Sequence, residues 1–179
     1  MKTINLSTNL ATIMFVLAIL TTTSGFSQEN PSLSDPEVAS VAVVANQIDI
    51  SYAEIAIKKS KNKEILDFAK RMITDHNAVI EQAVALVTKL SVTPKDNAVS
   101  QSLLEGAEKT KKMLHKANRK DFDKLYIGNE VAYHKAVIAA VKDLLIPESD
   151  NEELRGLLET VLPALEAHLG HAEMVQKKL

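Results

Sequence analysis

Apolar residues recur every three or four positions along most of the chain, the spacing that places them on one face of an α-helix. Five such stretches follow one another, at about 36–59, 63–90, 97–116, 121–145 and from Leu154 to the C-terminus. The sequence contains no strand-like alternation of useful length, no repeat at a fixed period and no low-complexity tract. The pattern predicts an all-α protein in which four long helices form an up-down bundle and 97–116 is a short accessory helix.

The first 27 residues have the features of a signal peptide: a positive start, an apolar run at 11–20 and small residues before an expected cleavage site at Gln28. The apolar run is shorter than the roughly 20 residues of a membrane-spanning helix, so a retained anchor is the secondary interpretation. We therefore expect a signal peptide at 1–27, a flexible lead at 28–35 and a helical domain at 36–179. The protein is expected to be exported and periplasmic or outer-membrane associated, and the sequence leaves its oligomeric state open.

The composition narrows the class of function. The chain has no cysteine, so packing alone must hold the fold, and covalent attachment of a c-type haem is excluded. Removal of the leader takes away one of the 21 Lys and Arg and none of the 23 Asp and Glu, which leaves a net charge of −3. Interspersed charges with a balance this close to neutral indicate no nucleic-acid partner.

Histidine is the unusual residue on the apolar faces. Three of the five histidines, His76, His134 and His168, occupy apolar-face positions on three different long helices. Counting the helical rise from the turn near Lys61 places His76 about 22 Å and Asp49 about 18 Å along neighbouring helices. The same count from the turn near Ser149, between the last two long helices, leaves His134 and His168 offset by about 6 Å along the bundle. The four side chains are therefore predicted to meet inside the bundle.

Two interpretations of this group stay open. Neutral imidazoles with a carboxylate suit a divalent metal such as zinc, iron, copper or nickel, in a protein of metal handling or stress protection. The same groups could instead form a buried hydrogen-bond network in a non-catalytic structural or interaction module of the envelope. A metal with an open coordination position would allow an enzyme, but no substrate is indicated and a non-enzymatic role is favoured.

Five further residues are candidates for a supporting role near the site: Asp75, Asp123, Tyr126, Glu130 and His171. His171 lies one helical turn after His168. Asp75 could orient an imidazole from outside the metal shell, although neighbouring helix positions point in different directions and a surface position is the simpler expectation. Asp123 and Tyr126 share one helix face, so the tyrosine hydroxyl could be anchored locally.

Three sequence blocks resemble the bacterial DUF4142 family. They are the segment 49–90, which contains FAKRMITDH at 68–76, then DFDKLYIGNEVAYH at 121–134 and TVLPALEAHLGHA at 160–172. The family pattern has Asp-x-x-Tyr followed by His, and then Leu-Pro-x-Leu-x-x-His-Leu. The blocks occur in the family's order and span nearly the whole mature chain.

The resemblance implies an exported, ferritin-like four-helix bundle of undetermined biochemical role, of a kind often labelled predicted outer membrane protein. It also implies that the three apolar-face histidines are the family's motif histidines, with Asp123, Tyr126 and Pro163 in their flanks. Members often have Glu where this chain has Asp49, a side chain one methylene shorter.

A ferritin-like fold does not by itself imply ferritin-like chemistry. A carboxylate-bridged di-iron centre uses Glu from two helices and Glu-x-x-His from two others. Here Glu130 precedes His134 by four positions and Glu166 precedes His168 by two. The spacing disfavours ferroxidase or oxygen-activating di-iron chemistry.

Overall fold

In the computed structural model, which describes residues 32–179, all regular secondary structure is helical. The helices are α1 (Asp35–Lys59), α2 (Lys63–Lys89), α3 (Ala98–Lys116), α4 (Phe122–Ala140), α5 (Ile146–Glu148) and α6 (Glu152–Gln176), with a π-helical turn at Val141–Leu145 between α4 and α5. The predicted all-α bundle is therefore confirmed. The expected signal peptide lies outside the described residues. No helix within residues 32–179 has the length and hydropathy needed to cross a membrane.

The start of α1 differs from the expected flexible lead. The Glu37 carboxylate accepts hydrogen bonds from the backbone N–H and the hydroxyl of Ser34, at 3.0 and 2.7 Å, which caps the helix one residue earlier than expected. Leu33 is buried, and its N–H donates to Oε2 of Glu148 at 3.0 Å. Leu33 of the lead is thus packed onto the bundle.

Contacts between helix ends define the direction of each helix. At the start of α3, Asn97 donates to the carbonyl of Glu37 at 3.1 Å, and Lys59 at the end of α1 donates to the carbonyl of Leu114 at 2.8 Å, so α1 and α3 are parallel. Lys178 after α6 pairs with Glu64 at the start of α2 at 2.8 Å, so α2 and α6 run antiparallel. The four long helices α1, α2, α4 and α6 enclose the interior, and α3 packs beside α1.

The interior consists of two hydrophobic cores of different character. One core lies at the end of the bundle near Lys59 and contains aromatic residues such as Phe68, Phe122 and Tyr126. The other core lies at the opposite end of the bundle, which we call the Asp35 end, and its buried residues are aliphatic. Its members are Leu33, Val38, Val41, Val141, Leu145, Leu154, Leu158 and Leu165. Buried polar side chains lie between the two cores, which places the candidate site near the middle of the bundle.

Two helix irregularities lie beside the core at the Asp35 end. The π-helical turn at Val141–Leu145 contributes two of its buried residues, and π-turns of this kind occur frequently at functional sites. On α6, Pro163 has no N–H to donate to the preceding turn, which removes one helical hydrogen bond. Both irregularities interrupt regular helix geometry in the same half of the bundle.

Candidate metal site

The four side chains singled out by the sequence meet at the centre of the bundle. The ring centroids of His76, His134 and His168, here called the histidine cluster, lie 5.2 to 5.8 Å apart. Oδ2 of Asp49 is 2.5 Å from Nε2 of His76 and 3.4 Å from Nε2 of His134. All four side chains are buried, and Asp49 is completely inaccessible. The offset expected between His134 and His168 does not separate their rings.

His134 is oriented by its own helix. Its Nδ1 lies 3.0 Å from the backbone carbonyl of Glu130, one turn earlier on α4. A carbonyl oxygen can only accept a hydrogen bond, so Nδ1 carries the proton in the neutral ring. The lone pair of Nε2 is then directed into the interior, towards Asp49.

His76 is oriented by a chain of hydrogen bonds from α1. Nδ2 of Asn46 donates to the carbonyl of Ala42 at 2.8 Å, which leaves its oxygen facing Nδ1 of His76 at 2.7 Å. Nδ1 therefore donates to Asn46, and Nε2 faces the Asp49 carboxylate. The polar side chain that fixes this ring comes from a different helix than the ring itself.

His168 is oriented in the opposite sense. Its Nε2 lies 2.8 Å from Oδ2 of Asp75 on α2, so Nε2 donates and the lone pair belongs to Nδ1. Burial opposes ionisation of Asp75, but hydrogen bonds from His168 and Arg71 outweigh it, and the pKa of Asp75 lies below its ordinary value. An ionised acceptor thus holds this imidazole.

These three contacts leave the inner nitrogens of the rings facing the interior, beside Asp49. Nε2 of His76, Nε2 of His134, Nδ1 of His168 and both carboxylate oxygens of Asp49 are buried, and apart from the contacts of Asp49 with His76, His134 and Glu130 they have no partner among residues 32–179. One ring nitrogen from each member of the histidine cluster lies within 4.8 Å of the others. Three converging ring nitrogens, with each ring held by an outer hydrogen bond, resemble the arrangement of ligands around a metal ion.

A second buried carboxyl group adjoins the site. Glu130 is inaccessible to solvent, and Asp49, Glu130 and His134 also offer ligand atoms within 4.8 Å of one another. Burial, reinforced by the negative charge of Asp49, raises the pKa of Glu130 well above its ordinary value. Burial also opposes ionisation of Asp49, but its contacts with His76 and His134 outweigh burial and lower the pKa of Asp49. The two carboxyl groups therefore favour different protonation states, with Asp49 the anionic one.

His134 and His168 favour their neutral form. Burial lowers the pKa of His134, despite the opposing effect of Asp49. Burial also lowers the pKa of His168 to about 4, although the hydrogen bond to Asp75 acts in the opposite direction. Neutral imidazole is the protonation state that binds a metal.

Sequence reasoning missed two residues that support the site. Asn46 precedes Asp49 by three positions and therefore shares its helix face, and this spacing could have identified Asn46 as a neighbour of the site. Tyr133 had no such signal. Its hydroxyl donates to the carbonyl of Ala45 at 2.9 Å, and its ring lies edge-on to His134 with centroids 6.3 Å apart. Tyr133 thereby ties α4 to α1 beside the cluster.

Three of the proposed supporting residues, His171, Asp123 and Tyr126, are not among the residues that offer ligand atoms to the site. His171 packs against Phe68, with ring centroids 5.2 Å apart. The Tyr126 hydroxyl is buried one turn before Glu130 and has no hydrogen-bond partner in the described part of the chain, so Asp123 does not anchor it. Of the supporting candidates, the structure therefore brings Asp75 and Glu130 to the site.

Comparisons with known proteins agree with the predicted family. A family model described as "Domain of unknown function (DUF4142)" matches residues 20–175. Among solved structures, "CopM in the Cu(II)-bound form" is similar, with a TM-score of 0.60 and 16% sequence identity over 82% of this chain and 98% of that chain. At this identity the similarity shows a shared helical fold. The comparison with curated proteins gave no significant match.

Proposed function

This chain belongs to the DUF4142 family, and we propose that it binds one transition-metal ion between the histidine cluster and Asp49. The observation that carries the proposal is the convergence of three inward-facing ring nitrogens, within 4.8 Å of one another, beside the buried carboxylate of Asp49. Nδ1 of His168 has no hydrogen-bond partner within residues 32–179, and a buried polar atom without a partner is costly. A cation at the centre would be bound by all three rings and by Asp49.

The donor set favours copper(II) among the divalent metals. Three imidazole nitrogens and one carboxylate oxygen suit copper, zinc, nickel or iron, and such sites generally bind copper most tightly. The structurally similar protein is described as copper-bound. Both points support Cu(II) as the first ion to test.

The closed geometry supports metal handling over catalysis. The three histidines and Asp49 would supply four protein donors, whereas catalytic zinc sites usually have three and keep one position for water or substrate. The donors are also inaccessible to solvent or nearly so. We therefore propose that the protein holds or carries the ion in metal handling or stress protection, and that it does so in the envelope, as the leader-like sequence at 1–27 suggests.

The alternative is a structural or interaction module whose histidines form a hydrogen-bond network. Such a network would satisfy the polar atoms on both sides of each ring. The outer nitrogen of each ring is hydrogen-bonded, and Nε2 of His76 also contacts Asp49, as such a network requires. The network is nevertheless incomplete, because Nδ1 of His168 has no partner within residues 32–179 and Nε2 of His134 has only a 3.4 Å contact with Asp49. This incomplete pairing supports the metal.

The direct test is titration of tag-free, metal-depleted protein with Cu(II), followed by calorimetry and by paramagnetic resonance, which reports nitrogen ligation. We expect one ion per chain, and a loss of affinity of more than about 100-fold in His134→Ala, since even outer-shell losses cost 10- to 100-fold. His115→Ala is the matched control because His115 is exposed on α3. His168→Gln provides a second ligand variant of similar size should His134→Ala fold poorly.

The metal hypothesis fails if the protein binds no stoichiometric copper, zinc, nickel or iron. It also fails if His134→Ala and His168→Gln bind as tightly as the unaltered protein. Triple substitution of the histidine cluster that changes only the stability would support the hydrogen-bond network instead.

A further inference from the structure

A cavity of about 210 Å³ extends from the histidine cluster into the core at the Asp35 end. Its walls come from α1, α2, α4 and α6, together with Leu103 of α3 and the π-helical turn. Most interiors are packed with few voids larger than a water molecule. A space of this size beside the histidine cluster is large enough to hold a ligand.

The cavity is polar at one end only. Its polar lining residues are Asn46, Asp49, Asp75, His76, Tyr133, His134 and His168, all at the level of the histidine cluster. Every other lining residue is Ala, Val, Ile or Leu. An apolar cavity of about 150 Å³ can hold benzene, so this one takes a somewhat larger apolar body, such as a chain of roughly eight carbons.

The polar end presents acceptors to that body. Asp49 contributes two buried carboxylate oxygens, and His134 contributes the lone pair of Nε2, because its Nδ1 donates to the carbonyl of Glu130. Oδ2 of Asp49 also faces Nε2 of His76 at 2.5 Å and Nε2 of His134 at 3.4 Å, so a buried carboxylate lies at this end of the cavity. A head group that donates hydrogen bonds is attracted to this carboxylate, whereas a second carboxylate is repelled by it.

We propose that the cavity binds a small amphiphile, with an aliphatic body at the Asp35 end and a single donor head group, such as a primary amine, directed at Asp49 and the histidine cluster. The π-helical turn and Pro163 interrupt the helices on two sides of this space, where Val141, Leu145 and Leu165 line it. This ligand goes beyond the proposed metal, and its head group would occupy the position of the ion in the metal-free protein.

The test is calorimetric titration of metal-free protein with butylamine, hexylamine, octylamine and octanoate. If the chain enters the cavity, affinity rises by about fourfold per added methylene up to the octyl chain. Octylamine should bind at least about tenfold more tightly than octanoate, given the cost of an unpaired buried charge. This series uses the unaltered protein and therefore does not depend on the folding of any variant.

Variants on α2 test the location. Ala83→Leu places a larger side chain at a buried lining position, and Ala85→Leu makes the same change at an exposed position outside the lining. We expect Ala83→Leu to lose at least about tenfold in octylamine affinity, comparable to the loss of two methylene contacts, and Ala85→Leu to match the unaltered protein. Both should retain the Cu(II) affinity of the unaltered protein, because neither residue contributes to the donor set.

Three results would overturn the amphiphile site: affinities independent of chain length, octanoate binding as tightly as octylamine, or undiminished octylamine binding to a folded Ala83→Leu variant. Copper titration of the same samples reports separately on the metal. Failure of the amphiphile site therefore leaves the metal hypothesis standing, and the converse also holds.

Discussion

Oδ1 of Asn46 lies 2.7 Å from Nδ1 of His76, and this contact determines which ring nitrogen faces the interior. The amide is itself held by donation to the carbonyl of Ala42. Because α1 supplies both this acceptor and Asp49, one helix positions both sides of an imidazole that belongs to α2. The orientation of His76 therefore depends on how α1 and α2 pack together.

Replacement of Asn46 by leucine should weaken metal binding without removing a ligand. Asn46→Leu deprives Nδ1 of its acceptor, so the ring can rotate or change tautomer, and we expect Cu(II) affinity to fall about 10- to 100-fold. Titration calorimetry measures the change. Asn77→Leu, at an exposed position on α2, is the control and should bind normally. Equal affinities for the two variants would show that Asn46 does not orient the site.

A second prediction concerns Asp75 and His168. Asp75→Ala removes the acceptor for Nε2–H of His168 and should reduce Cu(II) affinity about tenfold or more. Arg71→Ala removes the partner that lies 3.2 Å from the same carboxylate oxygen and leaves the acceptor in place, so its affinity should change little. Nitrogen NMR of the His168 ring should report a mixed tautomer in Asp75→Ala and a single one in Arg71→Ala. A single, unaltered tautomer in both variants would contradict the orienting role.

The third prediction is a dependence of stability on pH that originates at Glu130. Because its pKa is raised in the folded protein, the contribution of Glu130 to the free energy of unfolding is fully present below the ordinary pKa of 4.5 and is lost as the pH rises towards the folded-state pKa. The amide in Glu130→Gln does not ionise, so the variant lacks this pH dependence. The free energy of unfolding of the metal-free variant, relative to the unaltered protein, should therefore increase by about 1.4 kcal/mol per pH unit above 4.5 until that value is reached.

Urea unfolding of metal-free protein at pH 5, 6 and 7 measures this slope. Glu166→Gln is the control, because Glu166 is exposed and pairs with Lys142 at 2.6 Å. The control should show no comparable slope. If Glu130→Gln and Glu166→Gln behave alike across this range, Glu130 is ionised in the folded protein.

The sequence was sufficient to predict the fold and to predict which four buried side chains meet inside the bundle. Helical spacing of apolar residues gave the four long helices, and the depth count placed Asp49 and His76 at one level. Both inferences use the backbone geometry of the helix, which varies little between proteins. The π-helical turn at Val141–Leu145 could not be predicted in this way, because Val141 and Leu145 are four positions apart and this spacing also occurs in a regular α-helix.

Side-chain partners were harder to infer. Asp75 is adjacent to His76 in sequence, yet it accepts the hydrogen bond of His168, because adjacent positions on α2 face different helices. Which nitrogen of each imidazole points inward depends on hydrogen bonds to Asn46, Asp75 and the Glu130 carbonyl. These bonds depend on rotamers and on helix–helix contacts, neither of which the pattern of apolar residues specifies.

The placement of one donor on each long helix has a consequence for a chain without cysteine. An ion shared by Asp49 and His168 would act as a non-covalent cross-link between the first and last helices and would close a loop that contains most of the described chain. Such closure restricts the unfolded ensemble much as a disulfide does. Unlike a disulfide, the link would be reversible by chelation. The free energy of binding would then contribute directly to that of folding, so the local metal supply would set how firmly the bundle is held together.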